Sequence, residues 1–233
     1  MYRIGNAAIR PYPFPHIFVE EVFPSDFYAM VRRHMPLDEA YRTLVDTGRV
    51  GKGYSPSRLC LFPEDLATAP LKNEDREFWR ELFAAFTHRE FTEIWLRLFG
   101  PIIQQRLAEE NERSKQRLIY SEIMLMRDRN AYSLGPHTDS RQKAVSVLFY
   151  LPEDDTAPGM GTSFYLPKDR AFTCAGGPNH LFDRFDRIAT ASYRPNTLVA
   201  FPKTSRSFHG VEPVNGIDIR RDLIIYDLKL RDE

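Results

Sequence analysis

Among the six histidines of the chain, His137 and His209 stand where they could hold a metal ion. His137 and Asp139 form an H-x-D triplet within Gly135-Pro136-His137-Thr138-Asp139-Ser140. On a β-strand, residues two apart project to the same face, so an imidazole nitrogen and a carboxylate could reach one ion. A third ligand must come from another strand, and His209, in Arg206-Ser207-Phe208-His209-Gly210-Val211, is placed in one. Two histidines and one carboxylate on one face of a metal leave positions open, which suits non-haem Fe(II) that binds substrate and O2. Taken alone the triplet is weak, since an H-x-D arises by chance in about one in three chains of this composition. Downstream of His209, Arg220 opens the strand-like run Arg220-Arg221-Asp222-Leu223-Ile224-Ile225-Tyr226. Its planar fork can bind a carboxylate bidentately and stays charged when partly buried. A surface ion pair with a neighbouring acid is the alternative use.

These residues need strands to carry them. From about residue 117, short apolar or alternating runs predict strands over 118–126, 145–151, 162–166, 188–193, 197–201, 207–214 and 223–230. Turn residues such as Pro158-Gly159 and Gly176-Gly177-Pro178 separate some of them. The pattern predicts an antiparallel jelly roll. The first half reads differently. A strand is predicted over His16–Val22, placed to join the sheet, and a helix from Asp26 to about Met35, capped by Ser25 and ended by Pro36. Another strand is predicted within 53–62. Residues 73–99 carry two apolar stripes at helical spacing, one through Phe78, Trp79, Leu82, Phe83 and Phe86, the other through Phe91, Ile94, Trp95 and Leu98. Gly100-Pro101 is expected to end that helix and start another reaching Asn111, with Glu109–Arg113 a solvated face. The expected architecture is one α+β domain over 1–233: an N-terminal strand and support helices over 1–116, and a double-stranded β-helix core over 117–233.

Composition narrows the class. Apolar residues make up 42% and charged residues 27%, an ordinary globular balance that argues against disorder. Lys+Arg and Asp+Glu are both 32, so no nucleic-acid or anionic-membrane partner is expected. The apolar runs are too short to span a membrane, and no secretory leader is visible in MYRIGNAAIRPYPFP. Cys60 and Cys174 suit a reducing cytoplasm and lack metal-ligand spacing. Trp79 and Trp95 are expected in the core or in a homodimer interface.

The assembly of H-x-D, a distal His and an Arg shortly after it resembles the Fe(II)/2-oxoglutarate-dependent dioxygenases, and most closely their prolyl-hydroxylase-like branch. Three further stretches fit. Val145-Ser146-Val147-Leu148-Phe149-Tyr150-Leu151-Pro152-Glu153-Asp154 is similar to the branch's strand after the H-x-D. Gly159-Met160-Gly161-Thr162-Ser163-Phe164 is similar to its Gly-Gly-x-Thr-x-Phe turn, with Met160 departing from the second Gly. Phe14 to Pro24, followed by a helix, resembles its N-terminal strand and support helix.

The resemblance implies His137, Asp139 and His209 as Fe(II) ligands and catalytic residues, with 2-oxoglutarate and O2 as cosubstrates. Arg220 is then expected to hold the far carboxylate of 2-oxoglutarate, assisted by the Tyr150 hydroxyl, with Arg221 on the opposite face of the strand. Asp222 replaces the usual Ser after the arginine, and is expected to pair with a cation or face elsewhere. The implied reaction is hydroxylation of a small-molecule or peptide substrate, releasing succinate and CO2. Loop residues Tyr132, Arg141 and Arg206 are candidate substrate contacts, as are Ser140, His180 and Lys203. Two other readings remain: a cupin-type metal enzyme that does not use 2-oxoglutarate, whose motif is ordinarily H-x-H, and a non-catalytic jelly-roll binding module.

Overall fold

The computed structural model describes residues 1–110, 117–130, 132–213 and 219–232. Helices α1 (Tyr2–Gly5), α2 (Ser25–Arg33), α3 (Asn73–Thr87) and α4 (Arg89–Glu109) fill the first half, with strands β1 (Ile17–Glu20), β2 (Arg42–Thr43) and β3 (Arg58–Leu61) between them. The second half runs β4 (Arg117–Arg129), β5 (Leu134–His137), β6 (Lys143–Tyr150), β7 (Thr162–Pro167), β8 (Phe185–Ala191), β9 (Thr197–Pro202), β10 (His209–Val211) and β11 (Arg220–Asp232). Two antiparallel sheets result. The larger has the order β1-β9-β6-β11-β4-β3-β2, and the smaller β5-β10-β7-β8. The two sheets form the jelly roll. The 1–116 segment supplies strands as well as helices, because β1 forms one edge of the larger sheet and β3 with β2 the other.

Side chains alternate between two cores. On one face of the larger sheet, Ile123, Leu125, Val147, Phe149, Ile224 and Tyr226 pack against the helices. The other face, with Met124, Met126, Tyr150, Val199, Leu223 and Ile225, meets Phe164 of the smaller sheet. Trp79 and Trp95 are fully buried within the helix-side core, so the chain itself covers both. Helix α2 starts at Ser25 with Pro24 in the capping position, so Ser25 lies in the first turn and makes no cap bond.

The helical break falls elsewhere than Gly100-Pro101. The chain turns at His88, which is extended (φ −65°, ψ 142°), and α4 then runs through Pro101 without interruption. A mid-helix proline costs about 3 kcal/mol. Here Pro101 is exposed, while Phe91, Ile94, Trp95, Phe99 and Ile103 keep one buried stripe past it. Burial of that stripe offsets the lost hydrogen bond. Phe99 takes the buried position expected of Leu98, which is half-buried. The expected end at Asn111, most of the Glu109–Arg113 stretch and Val214 lie outside the described residues.

Phe149 joins three parts of the helix layer to the sheet. Its ring is fully buried and stacks on Phe23 at 5.4 Å, with Phe86 at 5.1 Å and Phe91 at 6.5 Å. Phe149→Ala is expected to lower stability by about 3–5 kcal/mol, the usual cost of an aromatic-sized core void, measured by urea unfolding.

Candidate active site

Strands β5 and β10 pair antiparallel with His137 directly opposite His209, and their rings lie 4.4 Å apart between centroids. The strands approach closely because Gly210 has no side chain; a Cβ there would lie 2.4 Å from the Leu134 carbonyl oxygen. Strand β5 ends at His137, so Asp139 reaches the histidines from the segment after the strand rather than from two places along it. One ligand atom from each of His137, Asp139 and His209 falls within 4.8 Å of the others, and His209 Nε2 is 3.7 Å from Asp139 Oδ2.

The groups around these three set their protonation. His137 Nδ1–H donates to the Gly135 carbonyl and His209 Nδ1–H to the Ser207 carbonyl, each at 3.0 Å. That fixes the tautomer and leaves both Nε2 lone pairs for an ion. Burial, and then the nearby His209, push His137 down to about 3. Burial also lowers His209, so both rings are neutral at pH 7. For Asp139, burial opposes ionisation, but the Lys143 ammonium, helped by the Ser146 hydrogen bond, outweighs it and holds the carboxyl far below its usual range. Lys143 Nζ lies 3.2 Å from Asp139 Oδ1 and 3.0 Å from Asp227 Oδ1. Ser146 Oγ donates to Asp139 Oδ2 at 2.7 Å. The site thus offers two neutral nitrogens and one anionic oxygen, a donor set that fits a divalent cation with positions to spare.

These residues line a cavity of about 460 Å³ between the sheets. Its inner end holds Arg221 and Arg58, 1% and 7% exposed. Arg221 Nη1 donates to Asp128 Oδ2 at 2.6 Å, and its guanidinium lies 5.8 Å from the Tyr150 ring and 5.7 Å from the Tyr193 ring. Arg221 Nη2 is buried without a hydrogen-bond partner among the described residues. Arg49, Glu122 and Lys229 form the more open end, where Glu122 accepts from both cations.

Arg220, expected to face the cavity, does not. It lies on the opposite face of β11, where its Nε donates to Asp222 Oδ2 at 2.6 Å. Asp222 also accepts from Arg127 Nε at 2.7 Å, which explains an acid at that position. Arg221 is the arginine that points inward. Tyr150 lies behind the cavity wall: its hydroxyl donates to Thr162 Oγ1 and accepts from the Thr162 N–H, both at 2.9 Å. Tyr132 is buried, its hydroxyl accepting from Arg58 and meeting the Tyr54 hydroxyl at 3.0 Å, so it reaches the cavity only through those two. Arg141 is exposed and its carbonyl accepts from Arg106. Arg206 is also exposed, and its Nη1 donates to the Arg170 carbonyl at 2.8 Å. Neither lines the cavity. Lys203 turns inward to the Thr204 carbonyl at 2.9 Å, and burial pushes it down to about 8.

The fold that carries these residues has counterparts in solved structures. A prolyl hydroxylase from Trichoplax adhaerens, in complex with a hypoxia-inducible-factor peptide fragment, aligns with TM-score 0.54 at 12% identity, over 92% of this chain and 83% of that one. A Pseudomonas putida prolyl-4-hydroxylase aligns with TM-score 0.52 at 13% identity, over 92% of both chains. This chain has the fold of the Fe(II)/2-oxoglutarate oxygenases. The oxygenase fold also covers the α-ketoglutarate-dependent epimerase SnoN of nogalamycin biosynthesis, which aligns with TM-score 0.52 at 15% identity, over 93% of this chain and 77% of that one. No protein-family model and no curated protein matches the chain.

Arg58, Lys143, Ser146 and the Glu122 cluster line the cavity, although the sequence alone assigns none of them a role. Of these, Ser146 is expected to tune Asp139, the carboxylate it bonds: Ser146→Ala should weaken divalent-metal binding about 10-fold to 100-fold. His137→Ala, Asp139→Ala and His209→Ala should each weaken it further, as measured by competition with a fluorescent chelator.

Proposed function

We propose that this protein is an Fe(II)- and 2-oxoglutarate-dependent dioxygenase that hydroxylates a small-molecule or peptide substrate. One observation carries the reading: the His137–Asp139–His209 set shares a cavity with the buried Arg221, whose Nη2 lacks a hydrogen-bond partner among the described residues. An unpaired donor on a buried cation is costly, and a carboxylate is the group that satisfies it. A metal site at one position and a carboxylate anchor deeper in the same cavity match a 2-oxo diacid.

The residues then divide by depth. His137, Asp139 and His209 hold the metal, with Ser146 and the Nδ1 bonds fixing the ligand atoms. Arg221 binds the far carboxylate of 2-oxoglutarate, and Asp128 fixes the guanidinium. Bound Fe(II), with 2-oxoglutarate and O2, supplies oxidative decarboxylation to succinate and CO2 and oxidation of a substrate C–H bond. The inter-sheet core around Leu223, Ile225 and Phe164 excludes water from the inner end. The substrate enters past Arg49, Glu122 and Lys229, where charges of both signs are partly exposed.

The test is uncoupled conversion of 2-oxoglutarate to succinate by the Fe(II)-loaded protein. Arg221→Met is expected to lower the rate at subsaturating 2-oxoglutarate roughly 30-fold or more, as for loss of one partner of a buried charge pair. Arg220→Met, on the outer face, should stay within about 3-fold of wild type. The reverse ranking would restore Arg220 as the anchor and reject this assignment.

A further inference from the structure

Arg58 lies outside every motif, yet it occupies the same end of the cavity as Arg221. Both are registered neighbours of Asp128: Arg58 on β3 from one side, Arg221 on β11 from the other. Asp128 is 2% exposed and does not line the cavity. It bonds well to one arginine only. Arg221 Nη1 takes Oδ2 at 2.6 Å, whereas Arg58 Nε stands 3.6 Å from Oδ1, and neither Nε nor Oδ1 has a hydrogen-bond partner among the described residues. One carboxylate therefore faces two buried guanidinium groups, leaving a net positive charge at the inner end. An uncompensated buried charge is destabilising, and an anion entering this end would offset it.

The second group that the resemblance supplies for that anion is already engaged. Tyr150 spends its hydroxyl on Thr162, as donor and as acceptor. Arg58, by contrast, is held in place and pointed inward. Its Nη1 donates to the Tyr132 hydroxyl, and its guanidinium sits 4.8 Å from the Tyr132 ring centroid. Tyr132 is in turn bonded to Tyr54, which also lines the cavity. A planar fork fixed this way loses little freedom on binding a carboxylate.

We infer that Arg58 is a second contact for the far carboxylate of 2-oxoglutarate, forming with Arg221 a two-arginine site that selects oxo diacids over oxo monoacids. The inference rests on the function proposed above. Removing Arg58 leaves Asp128 and Arg221 as a neutral pair, so the attraction for the far carboxylate falls, while the metal-chelating end of an oxoacid is untouched.

Calorimetric titration of Mn(II)-loaded protein tests this, with 2-oxoglutarate and pyruvate as the two probes. Pyruvate has the oxo acid and lacks the far carboxylate. Arg58→Met is expected to weaken 2-oxoglutarate binding by about 10-fold to 100-fold, the effect of one charge-assisted hydrogen bond. Pyruvate binding should be unchanged. Arg58→Gln serves if the Met variant fails to fold, with the same expected split. Wild-type affinity for 2-oxoglutarate in the folded variant overturns the inference. So does an equal loss for both oxoacids, which marks a structural role. If Arg221→Met abolishes 2-oxoglutarate binding while Arg58→Met does not, only the role of Arg58 fails. A wild-type protein that binds Mn(II) but not 2-oxoglutarate overturns the proposed function with it.

Discussion

The pairing of β11 with β4 over the full run from Arg220 to Asp232 governs which side chains meet in the cavity. Alternation along β11 sends Arg221, Leu223, Ile225, Asp227 and Lys229 toward the smaller sheet, and Asp222, Ile224, Tyr226 and Leu228 toward the helices. The same pairing sets Arg221 against Asp128, Asp222 against Arg127 and Asp227 against Glu122. A slip of one residue would put Arg220 in the cavity and Asp222 beside it, opposing any anion there. Thus the helix-side core, the buried ion pairs and the inner end of the cavity all depend on one register.

Electrostatics then separates the cavity into zones. At the His137–Asp139–His209 cluster, Lys143 keeps Asp139 ionised while burial keeps both imidazoles neutral. A site already in its ligating protonation state releases few protons on binding a metal. At the inner end, the pairing of charges is incomplete, which favours an anion. The mouth is different: Glu122 is shared by Arg49 and Lys229, and all three are partly solvated, so these ion pairs are held only weakly.

Much of this was legible in the sequence where chemistry is written locally. The triplet at 137–139, the distal His209 and the strand rhythm of the second half each depend on short-range spacing. Asp139 is expected to share a strand face with His137; it falls beyond the end of β5, yet the turn after the strand still brings its carboxylate to the two histidines. The choice between Arg220 and Arg221 could not be read the same way. Strand β11 is buried on both faces, so its apolar run carries no polar alternation to reveal which parity faces the cavity. Arg58, Lys143 and Ser146 were hidden for another reason: they act across strands or across a tight turn, and sequence spacing gives no hint of the pairing. The loop cations Arg141 and Arg206 are exposed and do not line the cavity, which their sequence neighbourhood could not reveal. In the helices, Gly100-Pro101 was a strong local stop signal overruled by a continuous buried stripe, while the true break at His88 carried no such signal.

The central claim is that one cavity binds Fe(II) through His137, Asp139 and His209 and 2-oxoglutarate through both the metal and Arg221. Anaerobic titration of the Fe(II)-loaded protein with 2-oxoglutarate, followed by visible absorbance, tests it most directly. The account predicts a weak charge-transfer band that saturates with 2-oxoglutarate and is absent in His209→Ala. Protein that binds Fe(II) at this site, yet shows no spectral change up to high 2-oxoglutarate, would contradict it.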